Sequence, residues 1–305
     1  MVGHGFVSKK TTDGSRELNA TLESLVLSYP DEFGMLKTNQ LWTVRNDVLI
    51  ACNRQKFNDP KSEQTPRMHG KLTASFCGGD VQPNHMGPEL GFGWSVGDAL
   101  NVDQDEKILL IKVAWGGKSL EEDFRPPSSG NETGVYYTTM IRDVKAFIAN
   151  IGKYFPEEKN TPAVLSGFGW HQGWNDLINV ARAADYESNL ANLIRDIRKD
   201  LNVSDLPFVI AATAMSDISK NDRAAEVFHA EMNVATYEEF NGTVITVDTR
   251  GFRRLPPPSS PGGQGYHWYN NAESYWLIGQ GLGQAMVQLV QRREKSRPHL
   301  LPYIL

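Results

Sequence analysis

The chain has 305 residues, 22% of them charged, with a net charge of -5 and no basic block, a balance that argues against nucleic acid as a partner. No apolar run reaches the roughly 18 residues that a membrane span needs, and the first residues lack the charged-then-apolar order of a signal peptide. Cys52 and Cys77 are the two cysteines, too few for a disulfide framework and without metal-ligand spacing, so the redox compartment stays open.

Met1-Val2-Gly3-His4-Gly5 opens with glycines that suit a strand-to-helix turn, yet no strand stands before them. Residues 18–28 carry apolar positions at helical spacing, and residues 42–50 read as a strand with a central turn. From about Asn53 to Gly87 the chain is polar and rich in Gly, Pro, Asn and Gln, which predicts a long loop of the sort that lines a site. Pro88 and Glu89 suit the first turn of a helix reaching about Leu100. Residues 107–114 are nearly continuously apolar, as a buried parallel strand is.

Trp115-Gly116-Gly117-Lys118-Ser119 ends that strand in a tight turn. Its glycine N–H groups can cradle an anion or oxyanion, or the pair is simply a turn. A helix over about 136–154 leads to a strand at 163–170, followed by His171-Gln172-Gly173-Trp174. Helices near 183–200 and 221–239, strands at 207–212 and 243–248, a final helix from about Asn271 to Gln291 and a tail at 292–305 complete an alternation. Strand and helix taking turns predicts one α/β domain over residues 1–305, a parallel sheet covered on both faces. Ligands of such sheets bind outside the carboxyl ends of the strands, so Gly116, Gly117, His171, Gln172, Met215-Ser216-Asp217, Asp248 and His267 should share one rim.

Three elements of this rim suit acyl transfer: a base, a glycine turn and a side-chain amide. His267, in a glycine-rich loop between Tyr266 and Trp268, is the general-base candidate, with a packing histidine as the alternative. Gly116 and Gly117 offer backbone N–H donors and Gln172 an uncharged amide donor to a developing oxyanion. Trp115, Trp170, Trp174 and Trp268 flank these motifs, either as core residues or as platforms on which sugar rings stack. His4, His69 and His85 have no metal-binding spacing, so no metal or other cofactor is called for. Four Asn-x-Ser/Thr patterns, at Asn19, Asn131, Asn202 and Asn241, match the glycosylation acceptor.

The blocks Gly87-Pro88-Glu89-Leu90, Trp115 to Leu120, Phe124-Arg125-Pro126-Pro127, Trp170-His171-Gln172-Gly173 and Gly265-Tyr266-His267-Trp268 with Asn271-Ala272-Glu273-Ser274-Tyr275 resemble, in order, those of the sialate O-acetylesterase-like carbohydrate esterases of the SGNH hydrolase superfamily. The resemblance implies a flavodoxin-like three-layer α/β/α sandwich and a serine esterase that removes acetyl groups from sugars, in a family found outside the cell or in the periplasm. It implies His267 as base, and an oxyanion hole from the nucleophile's N–H, Gly116 or Gly117, and Gln172. Trp115, His171, Trp174 and Trp268 would meet the acetylated carbohydrate.

Two departures stand out. The family's first block reads Gly-Gln-Ser-Asn-Met, and Met1 to Gly5 resemble its continuation, which places the nucleophile and the first strand upstream of residue 1 and predicts an inactive chain. The family's carboxylate three residues before the histidine is here Gln264; Asp248 is a candidate to orient the imidazole, or an acid capping its own turn, and a dyad with a backbone carbonyl is the alternative. A non-catalytic carbohydrate-binding relative and an esterase on non-sugar esters remain as alternatives.

Overall fold

A broken N-terminal third precedes the regular alternation. It holds β1 (Gly5–Phe6), α1 (Leu22–Ser28), α2 (Pro30–Phe33), β2 (Lys37–Thr38), β3 (Leu41–Trp42), β4 (Val48–Arg54), β5 (Met68–Lys71) and β6 (His85–Met86). Next come α3 (Glu89–Leu100), β7 (Ile108–Ala114), α4 (Val135–Ile148), α5 (Ile151–Tyr154), β8 (Val164–Leu165) and β9 (Phe168–Trp170). The short α6 (Trp174–Leu177) and α7 (Val180–Ala184) lead into α8 (Tyr186–Asp200), β10 (Phe208–Ala211), α9 (Asp222–Val234), β11 (Val244–Val247), α10 (Ala272–Ser296) and β12 (Tyr303–Ile304). This computed structural model describes residues 3–54, 68–74, 76, 84–100, 107–296 and 303–304.

Local chemistry explains several boundaries. The first helix begins at Leu22 and not at residue 18 because Thr21 caps it, its hydroxyl accepting from the Ser24 N–H at 3.2 Å. The stretch from Asn53 to Gly87, expected to be one loop, contains β5, antiparallel to β4, and β6, antiparallel to β1. Strands this short carry no readable alternation, so they hide inside a polar segment. The remainder of that predicted loop lies largely outside the described residues.

The sheet is mixed, not wholly parallel. Pairing runs β5-β4-β7-β12-β8 in one array and β9-β10-β11 in the other, and β5 is an antiparallel edge. The single strand expected at 163–170 is divided into β8, paired with β12, and β9, paired with β10. Tyr303–Ile304, from the expected tail, sits parallel between β7 and β8, with Ile304 opposite both Leu109 and Leu165.

Side chains alternate across the strands into two cores. Val209 and Ala211 of β10 join the cluster formed with α3 and α10, which includes Leu90, Trp94, Trp276 and Met286. Phe208 and Ile210 face the opposite way, into Tyr137, Leu190 and Val227 from α4, α8 and α9. Helices α3 and α10 approach closely because glycines meet there. A Cβ on Gly279 would strike the Pro88 carbonyl, and one on Gly91 the Trp276 carbonyl. Cys52 on β4 is disulfide-bonded, so one bridge exists where no framework was expected; Cys77, the other cysteine, lies outside the described residues. The asparagines of all four glycosylation patterns are exposed.

Candidate active site at the strand ends

The loop after β11 delivers His267 through a 3-10 segment, Gly265–Asn270, in which Trp268, Tyr269 and Asn270 all take left-handed backbone, at φ 50°, 54° and 55°. Such angles in non-glycine residues persist only where the surroundings impose them. Here Trp268 is buried in the α3–α10 core, and the Asn270 amide donates to the His4 carbonyl at 3.0 Å. Tyr275, from the first turn of α10, donates to the His267 carbonyl at 3.2 Å. The half-buried imidazole is oriented by Gln264, whose Oε1 lies 3.0 Å from Nδ1. An amide oxygen only accepts, so Nδ1 carries the hydrogen and Nε2 keeps the lone pair a base needs.

Asp248, expected as the orienting acid, has a charged partner of its own. Its carboxylate is bound to Arg250 at 2.5 Å, which holds its pKa below the ordinary carboxylate value, and Gln264 makes the contact with His267. In a chain that carries the nucleophile, Gln264→Ala should lower kcat about tenfold while Asp248→Asn leaves the pH–rate profile in place. Steady-state hydrolysis of p-nitrophenyl acetate measures both.

The glycine turn and the loop after β9 are tied to each other. Gly117 takes φ +67° at the end of β7, and its carbonyl accepts from the Asn175 side-chain amide at 2.5 Å. Gln172 Nε2 donates to the Lys118 carbonyl at 2.9 Å and to Asp176 Oδ2 at 2.6 Å. Both amide hydrogens of Gln172 are thereby engaged, so an oxyanion role requires exchanging one of these contacts for substrate. Among the described residues, no protein acceptor takes the N–H of Gly116 or Gly117. Gly117→Val should cost about 1–2 kcal/mol of stability through the backbone alone, since nothing within 4 Å opposes a Cβ there. Urea unfolding with an unchanged m-value would register it.

Beneath this loop lies a buried polar network that the sequence reading did not anticipate. Asp176, at 0% exposure, accepts from the N–H groups of Leu120 and Glu121 and from Gln172. Burial pushes its pKa up to about 6 against those hydrogen bonds. Tyr186 donates to the Gln172 carbonyl at 2.7 Å and contacts Glu231, which also receives the N–H and hydroxyl of Thr213. Burial raises the Glu231 carboxyl well above its ordinary value.

The aromatic expectations divide. Trp115 packs against Phe124 and Tyr136 in the α4–α8 core at 7% exposure, and Trp268 is 2% exposed, so neither is a sugar platform. Trp170 is likewise core, donating to Tyr186. Trp174 alone of the four is partly exposed, its ring 5.4 Å from that of Tyr266, itself exposed. His171 is buried, with Nδ1 on the Ala211 carbonyl at 3.1 Å and Nε2 unpartnered among the described residues. Burial lowers its pKa to about 3, which keeps it neutral. Ring contacts of His171 with Trp268, and of Trp174 and His267 with Tyr266, join the His267 loop to the Gln172 loop. Gly3 arrives at the same place: a Cβ there would lie 3.3 Å from His267 Cδ2. No group of three His, Cys, Asp or Glu among the described residues is placed to hold a metal ion.

Comparison with known families places the chain. Residues 1–288 match the model of the family described as carbohydrate esterase, sialic acid-specific acetylesterase. The chain belongs to that carbohydrate esterase family. Within it, the chain is similar to the probable carbohydrate esterase At4g34215 of Arabidopsis thaliana, 26% identical over 142 residues. That match spans 47% of this chain and 45%, under half, of the relative.

Solved structures share the fold of this esterase-family chain. The At4g34215 structure superposes with a TM-score of 0.56 at 18% identity, covering 94% of this chain and 93% of that one. The carbohydrate acetylesterase XAC1771 of Xanthomonas citri gives 0.55 at 12% identity, over 81% of this chain and 50% of that one. NanS gives 0.52 at 15% identity, over 83% and 90%. Among the described residues no helix is long and apolar enough to cross a membrane.

Proposed function

We propose that the complete protein is a serine carbohydrate O-acetylesterase on a flavodoxin-like three-layer frame, and that these 305 residues hold its base and its oxyanion cradle but not its nucleophile. The observation that carries this reading is the arrival of Gly3 beside the His267 ring. In the Gly-Gln-Ser-Asn-Met order, the serine stands four residues before Gly3, and four residues span at most about 14 Å. A hydroxyl on that segment is within reach of His267 Nε2. The serine attacks the acetyl carbonyl as His267 takes its proton. The Gly116 and Gly117 N–H groups, with Gln172, hold the oxyanion, and water then hydrolyses the acetyl-enzyme. Trp174 and Tyr266 form the aromatic surface beside His267 on which the sugar rests. The Cys52 disulfide suits an oxidising compartment outside the cytosol.

A second reading, a carbohydrate-binding relative without chemistry, is favoured by one feature: the partner of His267 is the neutral Gln264, which stabilises an imidazolium less than a carboxylate does. The two readings part when the chain is compared with a version extended upstream by Gly-Gln-Ser-Asn and an apolar strand. The esterase reading requires p-nitrophenyl acetate hydrolysis by the extended chain only. An extended, folded chain with no activity leaves the binding reading.

A further inference from the structure

Exposure does not separate the four Asn-x-Ser/Thr patterns, because all four asparagines face solvent, but the contacts of their side chains do. The Asn19 amide donates to the Pro258 carbonyl at 3.1 Å. Thr21, two residues on, is fully buried and caps α1 with its hydroxyl. At Asn241 the pattern ends in Thr243, whose hydroxyl accepts from the buried Arg198 guanidinium at 2.9 Å and donates to the Phe240 carbonyl at 3.1 Å. The Thr243 carbonyl accepts from the Phe208 N–H where β10 meets β11. Folding closes both of these patterns. The other two stay open. Asn131, Glu132 and Thr133 are all exposed, as are Asn202 and Ser204. Among the described residues, no hydrogen bond engages the side chain of Asn131, Thr133, Asn202 or Ser204. Each asparagine has left-handed backbone, with φ 54° at Asn131 and 57° at Asn202, a conformation that asparagine tolerates better than most side chains. That need accounts for an asparagine but not for a free hydroxyl two residues later. A Cβ on Gly130 would meet nothing within 4 Å, so the turn that carries Asn131 stands in open space.

We infer that Asn131 and Asn202 carry N-linked glycans and that Asn19 and Asn241 do not. The side-chain nitrogen of each acceptor attacks the anomeric carbon of a lipid-diphosphate-linked oligosaccharide. The bond from that carbon to the diphosphate oxygen breaks, the lipid diphosphate leaves, and the nitrogen gives up one proton. The hydroxyl two residues on belongs to the acceptor pattern, so a threonine committed to a helix cap or a strand start withdraws its pattern as the chain folds. The disulfide at Cys52 is an independent sign of the same route, because disulfides persist in the oxidising lumen where this transfer takes place. Asn202 lies between α8 and β10, at the amino ends of the parallel strands. Its glycan therefore covers the end of the sheet opposite the His267 rim and leaves the rim open, adding a bulky hydrophilic surface away from the chemistry. Neither glycan depends on the esterase reading.

The test uses the 305-residue chain, secreted from insect cells behind a cleavable leader. Treating the secreted protein with peptide N-glycosidase in heavy-oxygen water turns each glycosylated asparagine into a labelled aspartate, and peptide mass spectrometry maps the label. Label is expected at Asn131 and Asn202 and at neither Asn19 nor Asn241. Thr133→Ala and Ser204→Ala keep both asparagines and should each lose one glycan, and the double variant should have the mass of the bare chain. Should no chain be secreted, the same mapping is made on chain translated into microsomes and selected for an oxidised Cys52. Absence of label at Asn131 or Asn202 overturns the inference, as does label at Asn19 or Asn241.

Discussion

In a chain extended to include the serine, His267→Ala is expected to lower kcat/KM for p-nitrophenyl acetate by about 10²- to 10⁴-fold, the range typical of a positioned general base. Loss of fold should not contribute. The loop is pinned by the buried Trp268, by Asn270 on the His4 carbonyl and by Tyr275 on the His267 backbone carbonyl, none of which involves the imidazole. The imidazole is half-buried and meets the exposed Gln264, so removing it should change stability by under about 1 kcal/mol. Thermal melts recorded beside the kinetics separate the two effects. Rates equal within error would take the imidazole out of the mechanism.

The position of this rim was readable because the chain puts the candidate residues just after apolar runs. The run at 107–114 announces β7, and the glycines after it announce a turn; burial of β7 between two helical layers then leaves its carboxyl end as the exposed part. Tryptophans were harder to place. A tryptophan beside a glycine turn looks the same whether it faces a sugar or the core, and only packing against Phe124 and Tyr136 decides for Trp115. Gln264 read as a deficiency because a carboxylate was expected there, whereas an amide oxygen meets the same geometric need for Nδ1. β12 could not be read, because two paired residues leave no periodicity. The network of Asp176, Tyr186 and Glu231 was invisible for a related reason. Acids and tyrosines on helices usually mark solvated faces, and only assembly buries these.

That network supports the second large prediction, a pH-dependent stability traceable to Asp176. Its carboxyl titrates near 6 when folded, against an ordinary 3.8, chiefly because burial penalises the charge. The folded state therefore holds the proton more tightly than the unfolded state does. The stability contributed is fully present below about 3.8 and is lost as pH rises through about 6, a swing of roughly 3 kcal/mol. Glu231 acts with the same sign, while arginine-paired carboxylates such as Asp47 and Glu239, whose pKa values are lowered, act with the opposite one. Raw stability against pH mixes these contributions, so the difference between wild type and Asp176→Asn is the diagnostic quantity. Asparagine keeps an acceptor for the Leu120 and Glu121 N–H groups but carries no charge to bury and no proton to release. Between pH 6.5 and 4, wild type should gain about 2 kcal/mol relative to the variant in urea unfolding. Parallel curves would mean that the carboxyl does not titrate in that window. Because the same side chain holds Gln172 against the glycine turn, the variant's effect on acetyl-ester turnover should also appear in kcat more than in KM, as expected when an oxyanion donor is misplaced and substrate binding is not.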